Sequence, residues 1–328
     1  MMKKGRRIFI MVLCALFATS VIYVVNVQIA KTKNEGVSIR NEENIKKLVA
    51  RGYPIEVARE LFKKFSIYVS DLLNYESNNR IIEYFNQPFF LYDNYSRYLD
   101  YESRNPSMSI KEIVNQTNMY LDYPFYGYDH LVLADSITMI VNKYNILPST
   151  YIPKNLKEIP SKIAVRPMDG IDQAVNALID LTSSIKEETN LELLTTSAYR
   201  SFQYQETLYN SYKAADGEEE ADKLSARAGY SEHQTGLSFD LLVKGYTLED
   251  FYKTSQYLWV KDNAYRFGFI IRYEKEKTGI TGYSAEEWHI RYVGQAVATL
   301  LKDSNLSLEE YTMMNSNYLD QWYYKPRR

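Results

Sequence analysis

The 328-residue chain has three histidines, and two of them stand in settings that can do chemistry. His233 and Asp240 lie seven residues apart in Ser231-Glu232-His233-Gln234-Thr235-Gly236-Leu237-Ser238-Phe239-Asp240. Gly236 permits a tight turn between them, so an imidazole and a carboxylate can converge on one point. Both groups suit zinc. His289 ends Glu286-Glu287-Trp288-His289, which sets a carboxylate three residues before a second imidazole. A hydrolytic zinc site needs three protein ligands, an open position for water, and a carboxylate base that is not itself a ligand. His233, Asp240 and His289 fill the ligand set for one zinc ion. Glu286 fills the base, with Glu287 a competitor that spacing alone does not separate from it. Each cluster is weak by itself, because a histidine near an aspartate is more often a surface pair or a satisfied core pair.

A third cluster, Ser197-Ala198-Tyr199-Arg200-Ser201-Phe202-Gln203-Tyr204-Gln205, falls at a strand-to-helix junction. An arginine at a helix N-terminus suits an anion or a developing oxyanion. Taken alone it reads as an exposed arginine at a helix start. His130, in Tyr126-Gly127-Tyr128-Asp129-His130, lies outside all three clusters and reads as a structural or surface residue.

The elements that must position these residues are legible in outline. Leu191 to Ser197, Gly236 to Leu242, Phe269 to Tyr273 and His289 to Val293 read as strands. In the second of these, Leu237, Phe239 and Leu241 share one face, and Ser238 and Asp240 the other. Ile171, Val175, Leu178 and Ile185 recur at helical spacing. Ser201 can cap a helix running to about Lys213, and Gly268 closes another that begins at Ser255. Residues 42–65 predict two short helices broken at Gly52, and Ser109 to Tyr120 a further one. Helices and strands mix without regular alternation, so the expected class is α+β, a small antiparallel sheet flanked by helices.

Hydrophobic residues make up 45% of the chain and charged residues 24%, enough to build a core. The 39 basic and 41 acidic side chains nearly balance, which gives no reason to expect nucleic acid as a partner. The one cysteine is Cys14, so no thiol ligand or disulfide is open to the rest of the chain. Lys3, Lys4, Arg6 and Arg7 precede an uncharged run from Ile8 to Ala30, long enough to cross a bilayer core. The expected organisation is a cytoplasmic tail over 1–7, a transmembrane helix over 8–30, a stalk and helical juxtamembrane region over 31–140, a domain carrying the candidate zinc site over 141–303 and a C-terminal tail over 304–328. The basic flank orients such an anchor with the remainder of the chain outside the cell membrane.

The three clusters together resemble the VanY-type D-alanyl-D-alanine carboxypeptidases, a zinc peptidase family that also contains L,D-carboxypeptidases. The family pattern runs S-G-Y-R-S, then S-x-H-x-x-G-x-A-x-D, then E-x-W-H. Here these stand, in order, as SAYRS at 197–201, SEHQTGLSFD at 231–240 and EEWH at 286–289. VNKYNILPSTYIP at 141–153, NAYRFGFIIRY at 263–273 and HIRYVG at 289–294 are similar too. The resemblance implies zinc on His233, Asp240 and His289, Glu286 as general base, and Arg200 stabilising the transition state. It implies Ser231 and Gln205 near the substrate, and peptidoglycan stem peptides or muropeptides as partners. The implied reaction is release of a C-terminal D-alanine. The alternative within the family is L,D-carboxypeptidase action on tetrapeptide stems, and a more distant one is a non-catalytic wall-binding protein on the same fold. Four positions depart from the pattern: Ser238 stands where alanine is usual, Glu287 where proline is common, and Ala228 and Tyr230 where Pro and His are frequent.

Overall fold

The computed structural model describes residues 42–65, 79–127, 129–132, 136–314 and 322–323. The chain divides into two compact units, residues 1–95 and 96–328. In the first, residues 42–50 and Ile55–Phe65 are helical, and Gly52 between them takes φ 93°. Tyr84, Phe85, Phe90 and Tyr95 form an aromatic cluster around the helix Asn79–Phe85.

The second unit is built on a four-stranded antiparallel sheet. Its strands are β1 (Leu194–Ser197), β2 (Ser238–Leu242), β3 (Phe269–Tyr273) and β4 (Glu286–Tyr292), in the spatial order β1-β2-β4-β3. Helix α1 (Asp172–Thr189) covers one face. Its Val175, Leu178, Leu181 and Ile185 recur every three or four residues and, with Ala174, are fully buried, and Asn190 ends it in the left-handed region at φ 62°. Phe239 and Leu241 of β2 point into the same core with Phe269 and Ile290. A fully buried side chain of this size contributes roughly 1.5–3 kcal/mol. Gly170 is required by this packing, since a Cβ there would lie 2.8 Å from the Phe239 ring. Helix α2 (Phe202–Asp216) follows β1, and the Ser201 side chain caps it by accepting from the Tyr204 N–H. Helix α3 (Leu308–Met314) buries Leu308, Glu309, Thr312 and Met313.

The α+β class holds, with a small antiparallel sheet flanked by helices. The transmembrane helix expected ahead of it is corrected: among the described residues no helix is long and apolar enough to cross a membrane. The longest of them, α1, is amphipathic and carries Asp172, Asp180, Lys186, Glu187 and Glu188. Residues 8–30, on which that expectation falls, lie outside the described residues.

Candidate metal centre

Irregularities in two strands and one glycine bring the candidate residues together. Glu232–Thr235 form a single 3₁₀ turn, and Gly236 ends it at φ 70°. The turn folds His233 back over the start of β2, while Asp240 projects from the face of β2 opposite Phe239 and Leu241. Asp240 pairs with His289 across β2 and β4. Glu286 and His289, three residues apart, would fall on opposite faces of a regular strand. They do not, because β4 is irregular. Ile271 pairs with Ile290 and Tyr273 with Glu286, so two steps on β3 match four on β4. Within this irregular stretch the Glu286 side chain turns to the side of His289. A second bulge, in β1 between Thr195 and Ser197, precedes the Ala198 carbonyl that holds the His233 ring.

His233, Asp240 and His289 are all buried, and one ligand atom from each lies within 4.8 Å of the others. His233 Nδ1 is 2.7 Å from the Ala198 carbonyl, a partner that keeps the proton on Nδ1 and turns the Nε2 lone pair inward. That Nε2 is 3.3 Å from Asp240 Oδ2. His289 faces the same carboxylate through its other nitrogen, with Nδ1 3.1 Å from Asp240 Oδ1. Two imidazoles and a carboxylate, with no thiol, form a donor set that fits zinc. Glu286 Oε2 stands 3.7 Å from His289 Nδ1, beside the set. Burial raises the Tyr257 hydroxyl, and the Glu287 charge adds to it.

The electrostatics follow from burial and crowding. Burial pushes the Glu286 carboxyl up to about 7, with the Asp240 charge adding to it and His289 opposing. Burial lowers His233 to about 4, and Arg200 reinforces it. Burial opposes protonation of His289 as well, but Asp240 and Glu232 outweigh it and raise the ring to about 9. For Asp240, burial is outweighed by His233, His289 and Arg200, and the carboxyl is held well below its usual range.

The remaining candidates surround this set. Arg200 Nη2 donates to Asp240 Oδ2 at 2.8 Å, Nε to Ser197 Oγ at 2.8 Å, and Nη1 to Gln205 Oε1 at 3.3 Å. A guanidinium has five N–H bonds, so two are left after these three contacts. Gln205 is buried, and its amide nitrogen donates to Ser225 Oγ and the Ala226 carbonyl. It therefore braces Arg200 and the 225–226 backbone. Ser231 caps the 3₁₀ turn by accepting from the His233 N–H. His130 is buried away from the set, with its ring 3.9 Å from that of Tyr120.

Sequence reasoning passed over Glu232, Tyr273 and the arginines of β3 and β4. Tyr273 packs its ring 4.9 Å from that of His289. Arg272 and Arg291 are both buried and both bond to Glu232 at 2.8 Å. A usable signal was the repeated Ile-Arg-Tyr at 271–273 and 290–292, since an arginine inside an apolar strand needs a buried acid.

The family model described as VanY, D-alanyl-D-alanine carboxypeptidase, matches residues 171–295. YodJ of Bacillus subtilis (strain 168), named as a carboxypeptidase, is 38% identical over 194 residues, covering 56% of this chain and 70% of its own length. A D-alanyl-D-alanine carboxypeptidase of Enterococcus faecium is 33% identical over 172 residues, covering 52% of this chain and 48% of its own. Among solved structures, the LdcB LD-carboxypeptidase is 37% identical with a TM-score of 0.51, over 57% of this chain and 87% of that one.

Proposed function

The chain belongs to the VanY family of D-alanyl-D-alanine carboxypeptidases and is a peptidoglycan carboxypeptidase; on that premise we propose that it releases the C-terminal D-alanine of stem peptides at a zinc site held by His233, Asp240 and His289, with Glu286 as base. The observation that carries this reading is the convergence of those three ligand atoms within 4.8 Å, with the Glu286 carboxylate beside them.

Zinc bound there supplies Lewis acidity and lowers the pKa of a water to about 7. Glu286 takes a proton from the attacking water and delivers it to the leaving amine of D-alanine, a role suited to a carboxyl poised near neutrality. Arg200 has two N–H bonds beyond its braces and turns them toward the developing oxyanion. Ser197 and Gln205 fix its fork, and Asp240 accepts from it, so ligand and oxyanion donor are held as one unit. Burial of the set excludes bulk water, which strengthens each of these interactions.

The likeness to the LdcB LD-carboxypeptidase favours one second reading, cleavage of the L,D bond in tetrapeptide stems. Both are tested by incubating the full chain with muramyl pentapeptide and, separately, with muramyl tetrapeptide. D-alanine released only from pentapeptide is the expected result, and release only from tetrapeptide selects the second reading. A strong chelator is expected to abolish release. Glu286→Gln should lower kcat about 10²–10⁴-fold while retaining zinc. Full activity in that variant, or one equivalent of zinc retained by His233→Ala, would sink the mechanism.

A further inference from the structure

One buried carboxylate beside the site has no part in this reaction. Glu232 precedes His233 in sequence, but its side chain runs to the other histidine. Its Oε1 accepts from Arg272 Nε and Arg291 Nη1, each at 2.8 Å. Its Oε2 accepts from Ser238 Oγ at 3.2 Å and lies 3.5 Å from His289 Nε2. That Nε2 is buried and has no hydrogen bond of ordinary geometry, the 3.5 Å approach of Glu232 included. The opposite nitrogen of the ring, Nδ1, faces Asp240 and Glu286. An imidazole that presents the Nδ1 lone pair to a metal carries its proton on Nε2, and a buried N–H needs an acceptor. Glu232 Oε2 is the acceptor within reach.

The carboxylate is itself held rigidly. Arg272 reaches past it to Glu309 on α3 with a two-pronged contact, 3.0 and 2.5 Å. Arg291 donates to the carbonyls of Ile137 and Met139. Two arginines and two glutamates thus balance in charge, and each is no more than 5% exposed. A buried ionic network of this kind adds little net stability over an apolar core of the same shape. What it adds here is a fixed direction for one carboxylate oxygen.

We propose that Glu232 is the positioning residue of His289, accepting its Nε2–H so that Nδ1 is committed to the metal, and that Arg272, Arg291 and Glu309 hold Glu232 in place for that task. This rests on the metal site proposed above. It also accounts for Ser238, the one departure from the family pattern inside the ligand motif: its hydroxyl donates to the same Oε2 that faces His289.

The test uses the zinc-loaded full chain labelled with ¹⁵N-histidine, in which three imidazoles give a readily assigned spectrum. The expected wild-type signature is a solvent-protected Nε2–H on His289. Glu232→Gln, checked for folding by its thermal melt, should shift or broaden that signal. It should weaken zinc 10–100-fold in chelator competition and lower kcat with KM little changed. Glu232→Asp should recover part of each. A folded Glu232→Gln with unchanged zinc affinity and an unchanged His289 signal overturns the inference. Should that variant not fold, Ser238→Ala takes its place. Losing a competing donor to Oε2 must move the His289 Nε2–H signal and leave His233 where it is, and no movement overturns the inference equally. Failure of the site reading looks different, because then the wild-type chain binds no zinc or His233→Ala keeps it.

Discussion

Arg200 illustrates how much one side chain is asked to do. Three of its N–H bonds are engaged by Ser197, Gln205 and Asp240, so its direction is set before substrate arrives. Lysine keeps the charge but has no fork, and it cannot brace against three acceptors while reaching a fourth. Arg200→Lys should therefore lower kcat roughly 10²-fold, the scale of losing one oxyanion donor. Steady-state kinetics decide it: an unchanged kcat with a raised KM would assign Arg200 to ground-state binding instead. His130 makes the opposite case, a histidine whose role is in the fold. Burial, reinforced by Arg97, lowers its ring from 6.5 to about 4. The folded state then binds fewer protons than the unfolded chain at pH values below the unfolded pKa of about 6.5. Its contribution to stability is intact above that pH and erodes as the pH falls toward 4, by about 3 kcal/mol in total. Between pH 7 and 5 the wild-type Tm should fall more steeply than that of His130→Phe. Parallel slopes in a melting series would remove His130 from the acid response.

At the scale of the element, the decisive feature is the irregular stretch of β4. Among the described residues Glu287 and Trp288 have no register partner on either side, whereas Ile290 is paired with both Phe239 and Ile271. Proline removes a backbone donor and is tolerated in a sheet only where pairing is already interrupted. Glu287→Pro is thus expected to keep its fold and to stay within a few-fold of wild-type activity, and Ile290→Pro to unfold the domain. Circular dichroism melts with D-alanine release read both, and an inactive but folded Glu287→Pro would show that the stretch sets Glu286 through a bond at residue 287. The same stretch marks where sequence reading stops. Motif order and residue type singled out His233, Asp240 and His289, which the fold brings together, and alternation in β2 correctly split Phe239 and Leu241 from Ser238 and Asp240. The choice between Glu286 and Glu287 did not follow from spacing, because in an irregular stretch of strand the simple alternation of faces no longer says where each side chain falls. Gln205 was readable as a neighbour of the site. Its engagement with Ser225, Ala226 and Arg200 was not, since it depends on where a distant loop comes to rest.

At the scale of the whole molecule, sequence-distant segments are joined through one buried ion pair. Arg272 on β3 and Glu309 on α3 are 37 residues apart, and Glu309 also accepts from Asn142. Local patterning has no means of announcing such a pair, and residues 304–314 carry no motif of their own. Their importance comes from what they neutralise. Replacing Glu309 by leucine leaves the Arg272 guanidinium buried with Glu232 as its remaining acid, and that acid is shared with Arg291. Breaking one side of a buried pair costs about 3–5 kcal/mol, while replacing both partners by apolar groups is often close to neutral. Glu309→Leu should therefore lower the Tm by roughly 10 °C in a domain of this size. Adding Arg272→Met to it should recover most of that loss, since Glu232 and Arg291 then remain as a matched pair. A double-mutant cycle on thermal stability measures the coupling directly. If the two effects simply add, the pair does not fasten α3 to the sheet, and packing by Leu308 and Met313 must hold the helix alone.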